Sequence, residues 1–326
     1  MKRIDEDIKN GQFQNLYLIY GEEEYLKRQY KKKLIDALVN PDDNMNFSKY
    51  EGSSVSIPQV IDQAETMPFL SDYRVILLED CGFGKKANDE LNEYLKNIAE
   101  STIFIIVEPE VDRRGKLYKT AKALNRDIEI KIPDERGLAM WIGSKLKDAG
   151  IQMKKDAWSE FFNRTNGSMD NMDRELEKLI SYVGDSKQIT IEDVKEICIA
   201  QVETKIFDMI NAIAAKNIAL TLDLYHDMLS AKEPPMRILY MIVKQFRQMK
   251  IIKELASHGE NDGSIARKIG TYDFAVRKLR QLSSNFSNAD IDSLLSDSAS
   301  FEQKVKTGLM DENMAVELIM MKYAKA

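Results

Sequence analysis

At 326 residues the chain is long enough for two or three domains, each able to bury a core, and 44% hydrophobic with 31% charged residues is a globular, well-solvated composition. No apolar run approaches the roughly 20 residues of a membrane span, and Met1-Lys2-Arg3-Ile4-Asp5 leads into no signal-peptide core, so a cytosolic protein is expected. A net charge of −6 argues against a protein whose main task is gripping a nucleic-acid backbone.

Residues 1 to about 132 alternate strand-like and helix-like runs, with strands predicted near 16–20, 46–50, 74–79, 102–107 and 128–132. Arg74-Val75-Ile76-Leu77-Leu78 and Ile103-Phe104-Ile105-Ile106-Val107 are almost unbroken apolar runs, as strands buried on both faces of a parallel sheet should be. The pattern predicts a doubly wound α/β domain. Pro133-Asp134-Glu135 then gives a turn and a helix start, and strand signals vanish. A small helical domain follows to about Gln201, broken at Gly150, at Asn166-Gly167 and at Gly184-Asp185, with Thr190-Ile191-Glu192-Asp193 as a capping box. From Thr204 onward the period is 3.6 throughout, interrupted at 233–235, 259–263 and 285–287. The helix from about Met236 to Leu255 carries apolar residues nearly all round, so enclosure within a helical bundle is expected.

The first strand runs straight into Gly21-Glu22-Glu23-Glu24-Tyr25-Leu26-Lys27-Arg28, a phosphate-loop frame with the wrong contents. Such a loop needs Gly at its sixth position for close backbone approach and Ser or Thr at its eighth for magnesium, and here Leu26 and Arg28 stand there. Glu22 to Glu24 would set like charge against a triphosphate, and only Lys27 survives. An ordinary helix start with acids in its first turn accounts for the same residues.

Other chemistry is sparse. With His226 and His258 as the only histidines, one inside a helix and one beside the break at 259–263, no nucleophilic triad is indicated. Cys81 and Cys198 are far apart and lack a CxxC neighbour, so neither a disulfide framework nor a zinc site is expected. Arg237, Lys244, Arg247, Lys250 and Lys253 bias one helix toward positive charge, but their spacing spreads them around it, which disfavours a nucleic-acid groove. One connector is unusual. Met67-Pro68-Phe69-Leu70, between a helix around 57–66 and the strand at 74–79, is an unbroken apolar tetrad where polar residues are the rule. Its side chains either fold under the sheet edge as satellite core or face outward toward a partner.

The order of parts, a defective phosphate-loop domain, a small helical lid and a long helical bundle, resembles the delta subunit family of the bacterial DNA polymerase III clamp loader over essentially the whole chain. The resemblance is carried by Leu18 to Leu26, Met67 to Ser71, Asp112 to Leu117, Arg174 to Leu179, Ile189 to Val194, Gln245-Phe246-Arg247 and Lys306-Thr307-Gly308. It implies a degenerate AAA+-like domain over 1–135, a helical lid over 136–205 and a helical collar over 206–326. In the wider AAA+ superfamily the third strand ends in an Asp-Glu pair; here Leu78-Glu79-Asp80 inverts it. Val107-Glu108 stands where a polar sensor residue is usual, and Asp170 stands near the expected lid arginine.

Every nucleotide station is thus altered, so no ATPase activity, catalytic residue, cofactor or metal is expected. The resemblance further implies that Met67, Phe69 and Leu70 form a plug that binds the sliding clamp (beta subunit) and helps hold it open. It implies contact with the motor and delta-prime subunits through the C-terminal domain, and with primed DNA as part of the assembled loader. The rival expectations are an active ATPase with an atypical loop and a purely structural helical adaptor.

Overall fold

The apolar runs of the first third become strands because their side chains are covered on both sheet faces. In the computed structural model, which describes residues 2–40, 45–199 and 202–325, the chain divides into two compact units, 1–132 and 133–326. The first contains α1 (Lys2–Asn10), β1 (Leu16–Gly21), α2 (Glu24–Leu38), β2 (Phe47–Glu51), α3 (Ile57–Ala64), β3 (Arg74–Glu79), α4 (Asp89–Tyr94), β4 (Thr102–Glu108), α5 (Lys116–Ala123) and β5 (Asp127–Ile130). All five strands are parallel, in the order β2-β3-β4-β1-β5. From β1 the chain crosses to the far edge for β2, returns through β3 and β4, and passes over β1 to reach β5.

The register sets Leu18 beside Ile106 and Ile76 beside Phe104. Alternate residues therefore point to opposite faces. On one face Leu16, Leu18, Ile76, Leu78, Phe104 and Ile106 pack with α3, α4 and α5 through Val60, Leu91 and Leu117. On the other, α2 lies against β1 and β4 and carries α1 outside it. This is the doubly wound α/β architecture expected.

The second unit contains α6 (Glu135–Asp148), β6 (Gln152–Met153), α7 (Lys155–Thr165), α8 (Met169–Val183), β7 (Gln188–Ile189), α9 (Ile191–Ile197), α10 (Val202–Ala214), α11 (Ile218–Ser230), α12 (Pro235–Ser257), α13 (Asp262–Ile269), α14 (Asp273–Ser283), α15 (Asn288–Lys306) and α16 (Glu312–Lys325). Strands do not vanish after Pro133 as expected: β6 and β7 pair in parallel, each only two residues long and so too short to show a period. The capping box at Thr190 forms, with Asp193 closing it, and a second one, Ser287 with Asp290, opens α15.

Helix α12 runs through the unit, packed by α10, α13, α14, α15 and α16. It buries Ile238, Leu239, Met241, Ile242, Phe246, Met249 and Ile252, yet leaves Tyr240 and Ile251 exposed, so the enclosure expected all round it is incomplete. The turns around Lys216-Asn217, at Gly270 and at Gly308 also divide helices where the sequence pattern ran on. None of the described helices is long and apolar enough to cross a membrane.

Gly21 is required by geometry. It has φ +134°, and a Cβ there would lie 1.9 Å from the Ile130 carbonyl oxygen of β5. The substitution Gly21→Ala must therefore push β5 away from β1, and the expected loss of stability is about 3 kcal/mol or more. Urea denaturation measures it; a loss under about 1 kcal/mol contradicts the steric account.

Candidate functional site

The carboxyl ends of the parallel strands hold the stations where nucleotide chemistry would sit, and each is occupied by the protein's own groups. The Gly21 amide donates to the Pro109 carbonyl (3.2 Å) and the Glu22 amide to the Ile130 carbonyl (3.0 Å). The first amides of an α-helix have no carbonyl partner within the helix and attract an anion. The buried Glu23 carboxylate supplies it, accepting from the Tyr25 amide at 3.2 Å. Buried Lys27, the residue that would reach phosphates, instead binds Glu24 at 2.6 Å. Glu79, at the end of β3, is paired with Lys31 and, at 2.9 Å, with Lys49, which also holds Glu51 at 2.6 Å. Burial would raise the Glu79 carboxyl, but the two lysines outweigh it and hold the group below its ordinary value.

Glu108, at the end of β4, turns its carboxylate onto the amides of Gly82 (3.2 Å) and Phe83 (3.0 Å). Burial pushes its carboxyl up against those hydrogen bonds. Asp80 adopts a left-handed backbone, φ +52°. In the second unit Asp170 lies in the first turn of α8, so an acid occupies the place considered for the lid arginine. The arrangement is an internal network of ion pairs and caps rather than a cradle for phosphate.

The remaining candidates fall to ordinary roles. His226 packs beside Tyr225, and His258 Nδ1 lies 2.8 Å from the Glu254 carbonyl at the end of α12. Both cysteines are buried thiols, pushed up by that burial to about 11 for Cys81 and about 12 for Cys198. Of the five basic residues on α12, Arg237 pairs with Glu233 at 3.2 Å and Lys250 with Asp292 at 2.5 Å. Lys253 donates to the Ser283 and Phe286 carbonyls at 3.2 and 2.6 Å, tying α12 to the end of α14.

The connector at the opposite, amino-terminal end of the strands is different in kind. Met67 is 81% exposed, Phe69 57% and Leu70 92%, so these side chains are not satellite core. Their backbone is nonetheless fixed. Asn46, 2% exposed at the entry to β2, receives the Phe69 amide on Oδ1 and donates Nδ2 to the Phe69 carbonyl, both at 2.7 Å. Arg74, 3% exposed at the start of β3, donates to the carbonyls of Thr66 (2.6 Å), Met67 (3.2 Å) and Met45 (3.1 Å). Thr102 Oγ1 donates to the Ala64 carbonyl at 2.7 Å, anchoring the end of α3. Leu70 sits at φ +52°, a left-handed conformation that disfavours a side chain.

Three residues of this site escaped sequence reasoning: Asn46, Arg74 and the exposed Met45. Arg74 offered the one usable signal, a charge at the head of an otherwise apolar strand.

Residues 17–131 match the family model described as DNA polymerase III, delta subunit, and residues 203–323 match the model for the C-terminal domain of the DNA polymerase III delta subunit. The chain belongs to the DNA polymerase III delta subunit family. Among curated relatives, DNA polymerase III subunit delta of Bacillus subtilis (strain 168) is 25% identical over 330 residues, spanning 98% of this chain and 95% of the relative. A probable DNA polymerase III subunit delta of Aquifex aeolicus (strain VF5) is 20% identical over 270 residues, spanning 79% of this chain and 76% of its own length. Among solved structures, the Bacillus subtilis DNA clamp loader delta protein superposes with a TM-score of 0.82 at 24% identity, covering 100% of this chain and 99% of that one. The fold is therefore shared from end to end.

Two outcomes follow from the occupied stations. Calorimetry with ATP and magnesium should give no binding tighter than about 100 μM, roughly −5.5 kcal/mol; a tighter constant contradicts the reading. Because the Glu79 carboxyl is lowered in the folded state, its stabilising contribution is present above its ordinary value of about 4.3 and is lost as pH falls through the lowered one. Acid unfolding of the wild type should therefore show a component below pH of about 4 that Glu79→Gln lacks. Identical acid profiles for the two proteins would remove Glu79 from that role.

Proposed function

We propose that this chain binds the sliding clamp and helps open it for loading onto primed DNA, without hydrolysing ATP itself. The observation that carries the reading is the connector: exposed apolar side chains on a backbone held by buried polar groups, in a member of the DNA polymerase III delta subunit family. Met67, Phe69 and Leu70 are the proposed contacts with the clamp. An exposed apolar cluster on a fixed backbone is the form of a docking anchor, because side chains gain burial while little chain entropy is lost.

The working division is an AAA+-like domain over 1–135, a lid over 136–205 and a collar over 206–326. Within it, the collar joins the motor and delta-prime subunits of a cytoplasmic loader. Exposed apolar residues of the C-terminal region, Tyr240, Met314 and Leu318 on helices and Leu309 in the turn before α16, support that assignment. An active ATPase is the weaker reading, because Lys27, Glu79 and the α2 amides already have internal partners.

Burial of an apolar side chain in a partner contributes about 1.5–3 kcal/mol before the cost of association. The double substitution Phe69→Ala with Leu70→Ala should weaken binding to the organism's own sliding clamp by a factor of hundreds or more. The melting temperature should stay within a few degrees, since exposed residues contribute little to folding. Surface plasmon resonance and thermal denaturation measure the two. Retained clamp binding would place docking elsewhere, and a large fall in melting temperature would return the residues to the core.

A further inference from the structure

We propose that Asn46 and Arg74 are positioning residues for docking: they hold the connector in its docking conformation before the clamp arrives and bring Met45 alongside as a fourth apolar contact. The inference rests on the clamp-docking reading above. It begins from the physical oddity of the pair. A guanidinium only 3% exposed must find polar partners within the protein, since burying an unpaired charge is far more costly than burying a neutral group. Arg74 meets this need with the carbonyls of Thr66, Met67 and Met45. Any connector conformation that withdraws those carbonyls leaves the buried charge without them. The arginine therefore selects one backbone path out of those the loop between α3 and β3 could take.

Asn46 completes the selection from the other side. Its amide bonds the Phe69 N–H and C=O simultaneously, as a neighbouring strand would. Thr66, Met67 and Phe69 are thus held through their backbone while Met67 and Phe69 point outward. The chain then turns through the left-handed Leu70, which stays 92% exposed. Met45, 63% exposed, belongs to the same construction because its carbonyl is the third ligand of Arg74. The apolar surface is therefore composite, drawn from two segments well separated in sequence. A pinned loop matters for affinity because the apparent dissociation constant is the intrinsic one divided by the fraction of chains already in the competent conformation.

The test compares wild type, Asn46→Ala and Arg74→Lys, the last keeping the charge while giving up the planar fork that spans three carbonyls. Hydrogen exchange by NMR is followed at the Phe69 amide and at the β3 amides of Ile76 and Leu77, and clamp binding is measured by surface plasmon resonance. The Phe69 amide should be protected in the wild type despite its exposed side chain, and should exchange much faster in either variant, with Ile76 and Leu77 unchanged. Clamp affinity should fall about tenfold, mainly through a slower association rate. Met45→Ala should weaken binding by a similar factor without altering exchange.

Unchanged exchange at Phe69 in both variants overturns the proposal. So does faster exchange across β3 as well, which would make the pair general supports of the sheet, or faster exchange at Phe69 with unaltered clamp affinity. Should Arg74→Lys fail to fold, Asn46→Ala decides alone. If Phe69→Ala with Leu70→Ala leaves clamp binding intact, the docking reading falls instead, and the exchange result separates the two failures.

Discussion

All five strands of the N-terminal sheet point the same way, and this shared polarity sorts the chemistry of the domain. A parallel sheet has two unlike ends, because every strand delivers its last residue to one side and every crossover enters on the other. Six-residue strands put those ends about 20 Å apart. Gly21, Glu79 and Glu108 fall together at the carboxyl end although they are far apart in sequence. Asn46, Arg74 and the apolar connector fall together at the amino end. Occupied charge sits at one end and exposed apolar surface at the other.

The carboxyl end illustrates how a binding site can be closed without being filled by bulk. Glu23 places a carboxylate where a helix start would accept a phosphate oxygen, and Lys27 and Lys31 find acids within the same domain. Each pairing is modest on its own, as partly exposed ion pairs are. Together they satisfy the groups a nucleotide would have to recruit, so a ligand arriving there must first break contacts already made. The net effect on charge is also local. Lysines and glutamates alternate through Lys31, Glu79, Lys49 and Glu51, leaving no concentrated positive field to attract a triphosphate.

Much of the N-terminal architecture was legible in the sequence because strands buried on both faces show as apolar runs, and β1, β3 and β4 are of that type. The connector was legible for the complementary reason, as apolar residues in a place that secondary structure did not require them. Its orientation was not. The Phe69 backbone is bonded to Asn46, 23 residues earlier, and no local pattern announces that a polar side chain will be buried against a distant backbone. The same limit applies to α12, where apolar residues occupy most of the circumference but Tyr240 and Ile251 remain exposed. Strands β6 and β7 escaped notice because two residues cannot display a period.

Gly21 looks in sequence like the remnant of a nucleotide-binding signature, yet its place in the structure is set by β5. The Ile130 carbonyl approaches so closely that only hydrogen fits on that side of the backbone, and the same carbonyl takes the Glu22 amide. The turn is therefore part of a strand-to-strand seam. Placing Gly and Ser at positions 26 and 28 would leave that seam untouched, with its amides still turned to Pro109 and Ile130. A designer wishing to build an ATP site into this turn would have to detach the edge strand, and the sheet would lose the very closure that the glycine makes possible.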